Sequence, residues 1–493
     1  MTKERTIGIE ADILQESGFT FAKGVDLKRS GGGAHVGGAA RAFEDQFRGL
    51  AAHGQTELNR NEETGREGEQ EPGTNEIRID LVAATPLPYE EFEPAVLELP
   101  AHARTHLFPL PAAADGSTLP YDSLIQSYTQ NTAWMEQRRA SMGRQGRDGS
   151  LISISHFYVA SAVRDAIYDS LEAPVRDQVG RVTLLHSAPA YVIRAENPSY
   201  YADNPATDTR IQFEKDALAA SIVVFSTEGE RQLMIANYEG VPYGPEPSDV
   251  FTREMLEANS VVVPLCFNEQ LFQPDLTGQS RQEQIKQFAQ YGIRPEDTIF
   301  MAVTRLDEEK NWHGLVRAWM QFMIDNQGYF ERPDAEKLMV IGSVPLKSPR
   351  LMELYQQVMG EVDEFKARYG TLADKLVLPG AFPHERINHI PVAMFGPSFT
   401  ETFHLVPKEA NASGVAFAGS DIAAHRETHG SSAFLFDPNT YEGFASAFTT
   451  MLNPADRAAY AAAGIKNSER FNRKAATREL VQTMRAKFPV LTR

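Results

Sequence analysis

Arg305-Leu306-Asp307-Glu308-Glu309-Lys310-Asn311 follows directly on the apolar run Ile299–Val303 and leads into a helical pattern from Gly314 to Asp325. A short apolar run bounded in this way reads as a strand of a parallel sheet covered on both faces. In such sheets the loop at the strand end is where ligands bind. Arg305 offers a planar fork and Lys310 a point charge, and together they can grip a diphosphate. The same two cations would neutralise charge growing on a departing nucleoside diphosphate. The competing reading is a solvated surface loop of mixed charge.

Outward from this segment the pattern repeats. Strand candidates are Leu338–Gly342, Leu376–Leu378, Val392–Phe395, Val415–Ala418 and Ala433–Phe436. Helical patterns fill the gaps at Pro349–Tyr369, His384–His389, Val406–Ala412 and Tyr441–Leu452, and two more close the chain at 455–471 and 473–488. Strand and helix alternating through short loops predict a parallel α/β sheet. The first half is less regular. Thr6–Glu10, Ile77–Ala83, Leu151–Ile154, Val182–Leu185 and Ser221–Phe225 read as strands, with a polar insert over 53–76. The turn Val263–Asn268 contains Pro264 and reads as a crossing point. The expected domains are 1–265 and 266–472, with 473–493 as a helix packing back on the first.

Length and charge bound the function. A chain of 493 residues fits two large domains better than one core. The formal net charge of −18 argues against a nucleic-acid or anionic-membrane surface and leaves a small anionic ligand to a few local cations. No apolar run approaches a membrane span, and the single cysteine, Cys266, forbids an intrachain disulfide. The expectation is a cytoplasmic protein without a structural metal site.

A second motif lies after Val392–Phe395. Pro397 to Ala410 holds Glu401 and Glu409 eight residues apart across the start of a helix. Glu401 would accept hydrogen bonds from sugar hydroxyls, and Glu409, about one turn into the helix, would hold ribose hydroxyls. The N–H groups of His404, Leu405 and Val406 would stand free at the helix start for an anion or a sugar edge. Glu409 could instead simply serve the helix dipole. Weaker signals are the glycines Gly31-Gly32-Gly33 before a helix, His186 at a strand end, and His156, each with a purely structural alternative. The chain lacks Asp-x-Asp, GxxxxGK[ST] and GxSxG, which excludes the readings those motifs carry.

Taken together these residues resemble glycosyltransferase family four of the GT-B fold, nearest its sucrose-phosphate synthase and sucrose synthase branch. The family's R-x4-K-N matches Arg305, Lys310 and Asn311, and its E-x7-E matches Glu401 and Glu409. An element like the family's T-x-HS is read at Thr183–Ser187, where two residues separate Thr183 from His186; R-I-x-x-E falls at Arg210–Glu214 before Ser226-Thr227, and V-V-P-x-x-x-N at Val262–Asn268. The resemblance implies two Rossmann-like domains facing a deep cleft. It implies transfer of a hexose, glucose the first guess, from a nucleotide sugar such as UDP-glucose to a small sugar or polyol-like acceptor. It implies retention of configuration, with neither metal nor cofactor. Arg305 and Lys310 would bind the diphosphate, Glu401 the sugar and Glu409 the ribose. His186 would sit by the transferred sugar, Gly32 and Gly33 by the sugar–phosphate junction, His404 and Leu405 in the donor loop, and Arg210 and His156 on the acceptor side. Three departures stand out. His404 replaces a glycine, Ala423-Ala424 replaces a Gly-Gly pair, and Ala188–Val192 lacks the basic residues expected to hold an acceptor phosphate, which argues against fructose 6-phosphate. Other readings on the same fold are glycoside cleavage by a nucleoside diphosphate, sugar-nucleotide epimerisation, and a non-catalytic sugar-nucleotide sensor.

Overall fold

The computed structural model describes residues 6–14, 77–85, 103–109, 139–140, 149–156, 165, 168–176, 179–184, 206–343, 349–382 and 387–488. The chain divides into two compact units, Met1–Cys266 with Arg473–Arg493, and Phe267–Asn472. Cys266 thus groups with the first unit.

The first unit holds β1 (Thr6–Leu14), β2 (Ile77–Thr85), β3 (Ala103–Pro109), β4 (Gly149–His156), β5 (Val179–Leu184), β6 (Ile222–Phe225) and β7 (Ser260–Val262). They form one sheet in the order β3-β2-β1-β4-β5-β6-β7, with all neighbours parallel. Helices α1 (Ala206–Ala220), α2 (Glu228–Tyr238) and α3 (Arg253–Ala258) belong to it. Val223 and Phe225 of β6 pack with Met234, Ile235 and Tyr238 of α2. The start of α2 is fixed by Thr227, whose hydroxyl accepts from the Glu230 N–H, while the Glu230 carboxylate accepts from Ser226 N–H and Oγ–H. That near-reciprocal pairing satisfies donors at the helix start.

The second unit holds β8 (Ile299–Val303), β9 (Lys337–Ile341), β10 (Leu376–Gly380), β11 (Ala393–Gly396), β12 (Ala416–Ser420) and β13 (Phe434–Phe436). Their order is β10-β9-β8-β11-β12-β13, again all parallel. Around them run α4 (Gln279–Lys286), α5 (Trp312–Asp325), α6 (Pro349–Tyr369), α7 (Leu405–Ala412), α8 (Ala423–His429), α9 (Tyr441–Leu452) and α10 (Pro454–Ser468). Side chains alternate across the sheet. Phe300 and Ala302 of β8 join Leu338 and Val340 of β9 on one face, against Trp312, Trp319 and Met323 of α5. Ile299 and Met301 join Met339 and Ile341 on the other, against Ile285 of α4 and Phe288. Both faces are buried, which is why these strands read as unbroken apolar runs. The Trp319 indole N–H finds the Lys375 carbonyl at 3.1 Å, so this large buried ring leaves no unpaired donor there.

From β8 the chain winds outward to β9 and β10, and from β11 to β12 and β13 in the opposite direction. β8 and β11 are hydrogen-bonded neighbours. Their carboxyl ends mark the point where strand order reverses, the ligand-binding position in open α/β sheets. The sequence reading did not foresee β3, and it expected a helix at His384–His389. Residues 383–386 lie outside the described residues, and 387–390 form a turn closed by Ile390 N–H on Ile387 C=O. After the second unit, α11 (Arg473–Lys487) returns to the first, where Lys487 Nζ donates to the Ala258 carbonyl at 2.6 Å.

Candidate functional site

Asp307 organises the loop after β8. Its buried carboxylate accepts from the Lys310 N–H at 3.1 Å with Oδ1 and pairs with Arg305 Nη2 at 3.1 Å with Oδ2. The Arg305 side chain stays 60% exposed. Asn311 ends the loop at φ +47°, in the left-handed region, as the N-cap of α5. Its buried amide donates to the Pro438 carbonyl at 3.0 Å. A Cβ at Gly314 would fall 2.3 Å from Asn311 Oδ1, so glycine there leaves room for this anchor. The Asn of the Lys-Asn pair is therefore structural, and it places Lys310.

The loop after β11 meets this one. Lys310 Nζ lies 2.9 Å from Glu401 Oε1, with both side chains mostly covered. Ser398 Oγ–H donates to the same oxygen at 2.7 Å. Burial alone would raise the Glu401 carboxyl. Lys310, by its charge and its hydrogen bond, and the Ser398 hydroxyl outweigh it and hold the group below the usual carboxylate range.

His404 takes the N-cap position of α7 at φ +62°. An L-residue with a side chain held there carries strain of about 1–2 kcal/mol. The resembled family has glycine at this position, so the imidazole must find room. The structure provides it by laying the ring over the end of β11, where a Cβ on Gly396 would come within 2.7 Å of His404 Cε1. The ring is also held edge to edge with His425, the two planes 23° apart, with His404 Nδ1 2.8 Å from His425 Nε2. His425 Nδ1 lies 2.8 Å from the Ser420 carbonyl, which can only accept. That contact assigns the proton of His425 to Nδ1, makes its Nε2 an acceptor, and makes His404 Nδ1 the donor to it. The lone pair of His404 then sits on Nε2. Burial, with Lys408 nearby, takes His425 down to about 4, and burial takes His404 well below its ordinary value against the opposing pull of Glu401. Both imidazoles are neutral near pH 7.

The structure thus brings Lys310, Glu401 and His404 together, with Arg305 on the same loop. Leu405 is the first residue of α7 and is buried. Glu409 lies on α7 and is wholly covered by its neighbours. Gly32, Gly33 and His186 lie outside the described residues. His156 ends β4, paired in register with Leu184, and Arg210 lies in α1; the side chains of both are outside the described residues. Thr183 is structural: its hydroxyl donates to Ser221 Oγ at 2.8 Å, since Ser221 gives its own hydrogen to Ala217 O. Four residues went unread in the sequence, namely Asp307, Ser398, Lys408 and His425. The first three lie inside the two quoted motifs. His425 could have been found from its spacing with His429, one turn apart on α8. Among the described residues, no three or more of His, Cys, Asp and Glu are grouped to hold a metal ion, and no helix is long and apolar enough to cross a membrane.

Residues 297–454, which span both loops, match the family model described as glycosyl transferases group 1. Solved structures similar to the chain include a sucrose-phosphate synthase from Thermosynechococcus elongatus, 20% identical, with 98% of this chain and 100% of that one covered and a TM-score of 0.65. Another is HepE from Anabaena in complex with UDP and glucose, 14% identical, with 97% and 99% covered and a TM-score of 0.57. A third is a UDP-forming α,α-trehalose-phosphate synthase from Burkholderia xenovorans in complex with glucose-6-phosphate, 13% identical, with 97% and 100% covered and a TM-score of 0.58. No curated protein matches the chain by sequence. At these identities the likeness fixes the fold: two parallel-sheet α/β units of the GT-B kind.

Proposed function

We propose that this protein is a retaining glycosyltransferase acting in the cytoplasm on a nucleoside-diphosphate hexose, glucose first, and a small sugar or polyol-like acceptor. The observation that carries the reading is the 2.9 Å contact of Lys310 with Glu401 at the carboxyl ends of β8 and β11, inside the segment that matches the glycosyltransferase family model. A cation for a diphosphate and a carboxylate for sugar hydroxyls stand side by side where the fold binds ligands. Arg305, largely exposed on the same loop as Lys310, supplies a second positive group.

In the proposed reaction the bond from the sugar's anomeric carbon to the diphosphate breaks on the face where the acceptor oxygen bonds. The acceptor proton passes to the leaving phosphate oxygen, so no protein nucleophile is needed. Lys310 and Arg305 stabilise the departing charge. Glu401, held ionised, fixes the sugar by accepting from its hydroxyls. His404 is neutral beside it and adds no charge. Gly32, Gly33, His186, Arg210 and His156 remain the proposed contacts toward sugar and acceptor. Glu409 would reach a ribose only after the groups covering it part.

A thermal-shift screen with UDP, ADP, GDP and their glucose and mannose conjugates tests this. A true donor at one hundred times its Kd stabilises the fold by about 2.7 kcal/mol. Product analysis in both directions then separates synthesis from cleavage. No shift with any nucleotide would overturn the reading.

A further inference from the structure

Lys408 is completely buried on α7, yet none of its hydrogen-bond partners is a carboxylate. Its Nζ lies 2.7 Å from the Phe403 carbonyl, 2.6 Å from Thr428 Oγ1 and 2.8 Å from His429 Nε2. It also stands 4.8 Å over the Phe403 ring, so it holds that residue by both backbone and side chain. Two of the bonds have a fixed sense whether Nζ is charged or neutral. A carbonyl has no hydrogen to give, and the Thr428 hydroxyl hydrogen is committed to Ala424 O at 2.6 Å. Nζ therefore donates to both.

Packing alone does not call for this arrangement. A leucine or methionine would fill the same space without burying an amine. What the lysine adds is direction. The described chain contains no cis peptide, so the Phe403 carbonyl and the His404 N–H point in opposite senses. With the carbonyl drawn inward to Lys408, the His404 N–H is turned the other way. His404 is the N-cap of α7, its side chain makes no capping bond, and Pro407 has no N–H in the first turn. A donor on the carbonyl also polarises the whole peptide unit and strengthens its N–H as a donor.

We propose that Lys408 is a positioning residue that aims the His404 N–H, at the positive end of the α7 dipole, at a phosphate oxygen of the donor nucleotide. The inference rests on the donor reading above and deepens it. His429 and Thr428 of α8 hold the lysine, and the left-handed turn at His404 completes the cradle.

The test uses the full chain with selective 15N-histidine labelling, which gives twelve amide signals to assign. Uridine diphosphate is the first probe and adenosine and guanosine diphosphates the next. In the unaltered protein, saturating diphosphate moves the His404 amide proton downfield. In Lys408→Met, checked for folding by circular dichroism and melting, that displacement is lost. The variant's kcat falls by about tenfold or more while the donor KM changes little, the pattern of an interaction made in the transition state. Thr428→Val, which removes one partner and keeps the lysine, gives a smaller fall of the same kind. Binding that leaves the His404 amide of the unaltered protein unmoved would overturn this inference and leave the donor reading standing. So would a Lys408→Met enzyme that melts earlier but turns over normally, or an amide that responds only to the sugar conjugate. Failure of every diphosphate to bind would overturn both.

Discussion

The Phe399 N–H donates to the Glu309 carbonyl at 2.8 Å, joining the loop after β11 to the loop after β8 by their backbones. This bond holds the two loops in register, so the Lys310–Glu401 pair forms between segments already tied together. The partners are about ninety residues apart in sequence, and the adjacency of β8 and β11 is what brings them close.

Lys310→Ala should abolish transfer with the fold retained. Loss of a covered cation facing a leaving diphosphate costs on the order of 3 kcal/mol or more in the transition state, a fall of at least about a hundredfold in kcat/KM. Near-normal turnover would refute the diphosphate role.

The same pair gives a stability test. Lys310→Met leaves Glu401 covered and without its cation, which should lower the melting temperature, whereas Lys310→Met with Glu401→Gln removes both charges and should recover most of that loss. Calorimetry of the two variants decides. An equal loss in both would mean the contact contributes to stability through packing alone.

Gly396→Ala should displace His404, because the new Cβ would come within 2.7 Å of its ring and 2.8 Å of Phe417, both enclosed. Overpacking of this kind costs about 1–3 kcal/mol. The added variant His404→Gly should relieve part of it, since it opens the space and suits the positive φ at 404. Chemical denaturation of the single and double variants measures the difference.

Acid should unfold the protein earlier than its carboxylates alone require. His404, His425 and His429 all have folded pKa values below the ordinary histidine value, chiefly through burial. The unfolded chain then binds more protons than the folded one below pH 6.5, so stability is full above that value and is lost as pH falls. For His425, lowered from 6.5 to about 4, the loss reaches about 3 kcal/mol once pH has passed below its folded value. Glu401, shifted down as well, adds a further loss below pH 4.5. A melting temperature flat from pH 7 to 5 would contradict the neutral-histidine assignment.

Much of the second unit could be read from the chain because its strands are buried on both faces and its two loops carry charge immediately after them. Arg305, Lys310 and Glu401 were visible for that reason. Asp307 and Ser398 were in view but silent, since a side chain that holds another in place has no compositional mark. Lys408 was hidden more deeply. A lysine on a short helix reads as a solvated residue, and only the fold shows it under Phe403. The first unit was harder, because β3, ARTHLFP, mixes polar with apolar residues and offers no unbroken apolar run.

The return of α11 to the first unit has a consequence for biosynthesis. Phe267–Asn472 is continuous and can fold as soon as it clears the ribosome, whereas the earlier-made segment must wait for Arg473 and beyond to gain its last helix. The half of the protein translated first is therefore finished last, and a chain released early near Asn472 would keep its continuous second unit and lack part of the other.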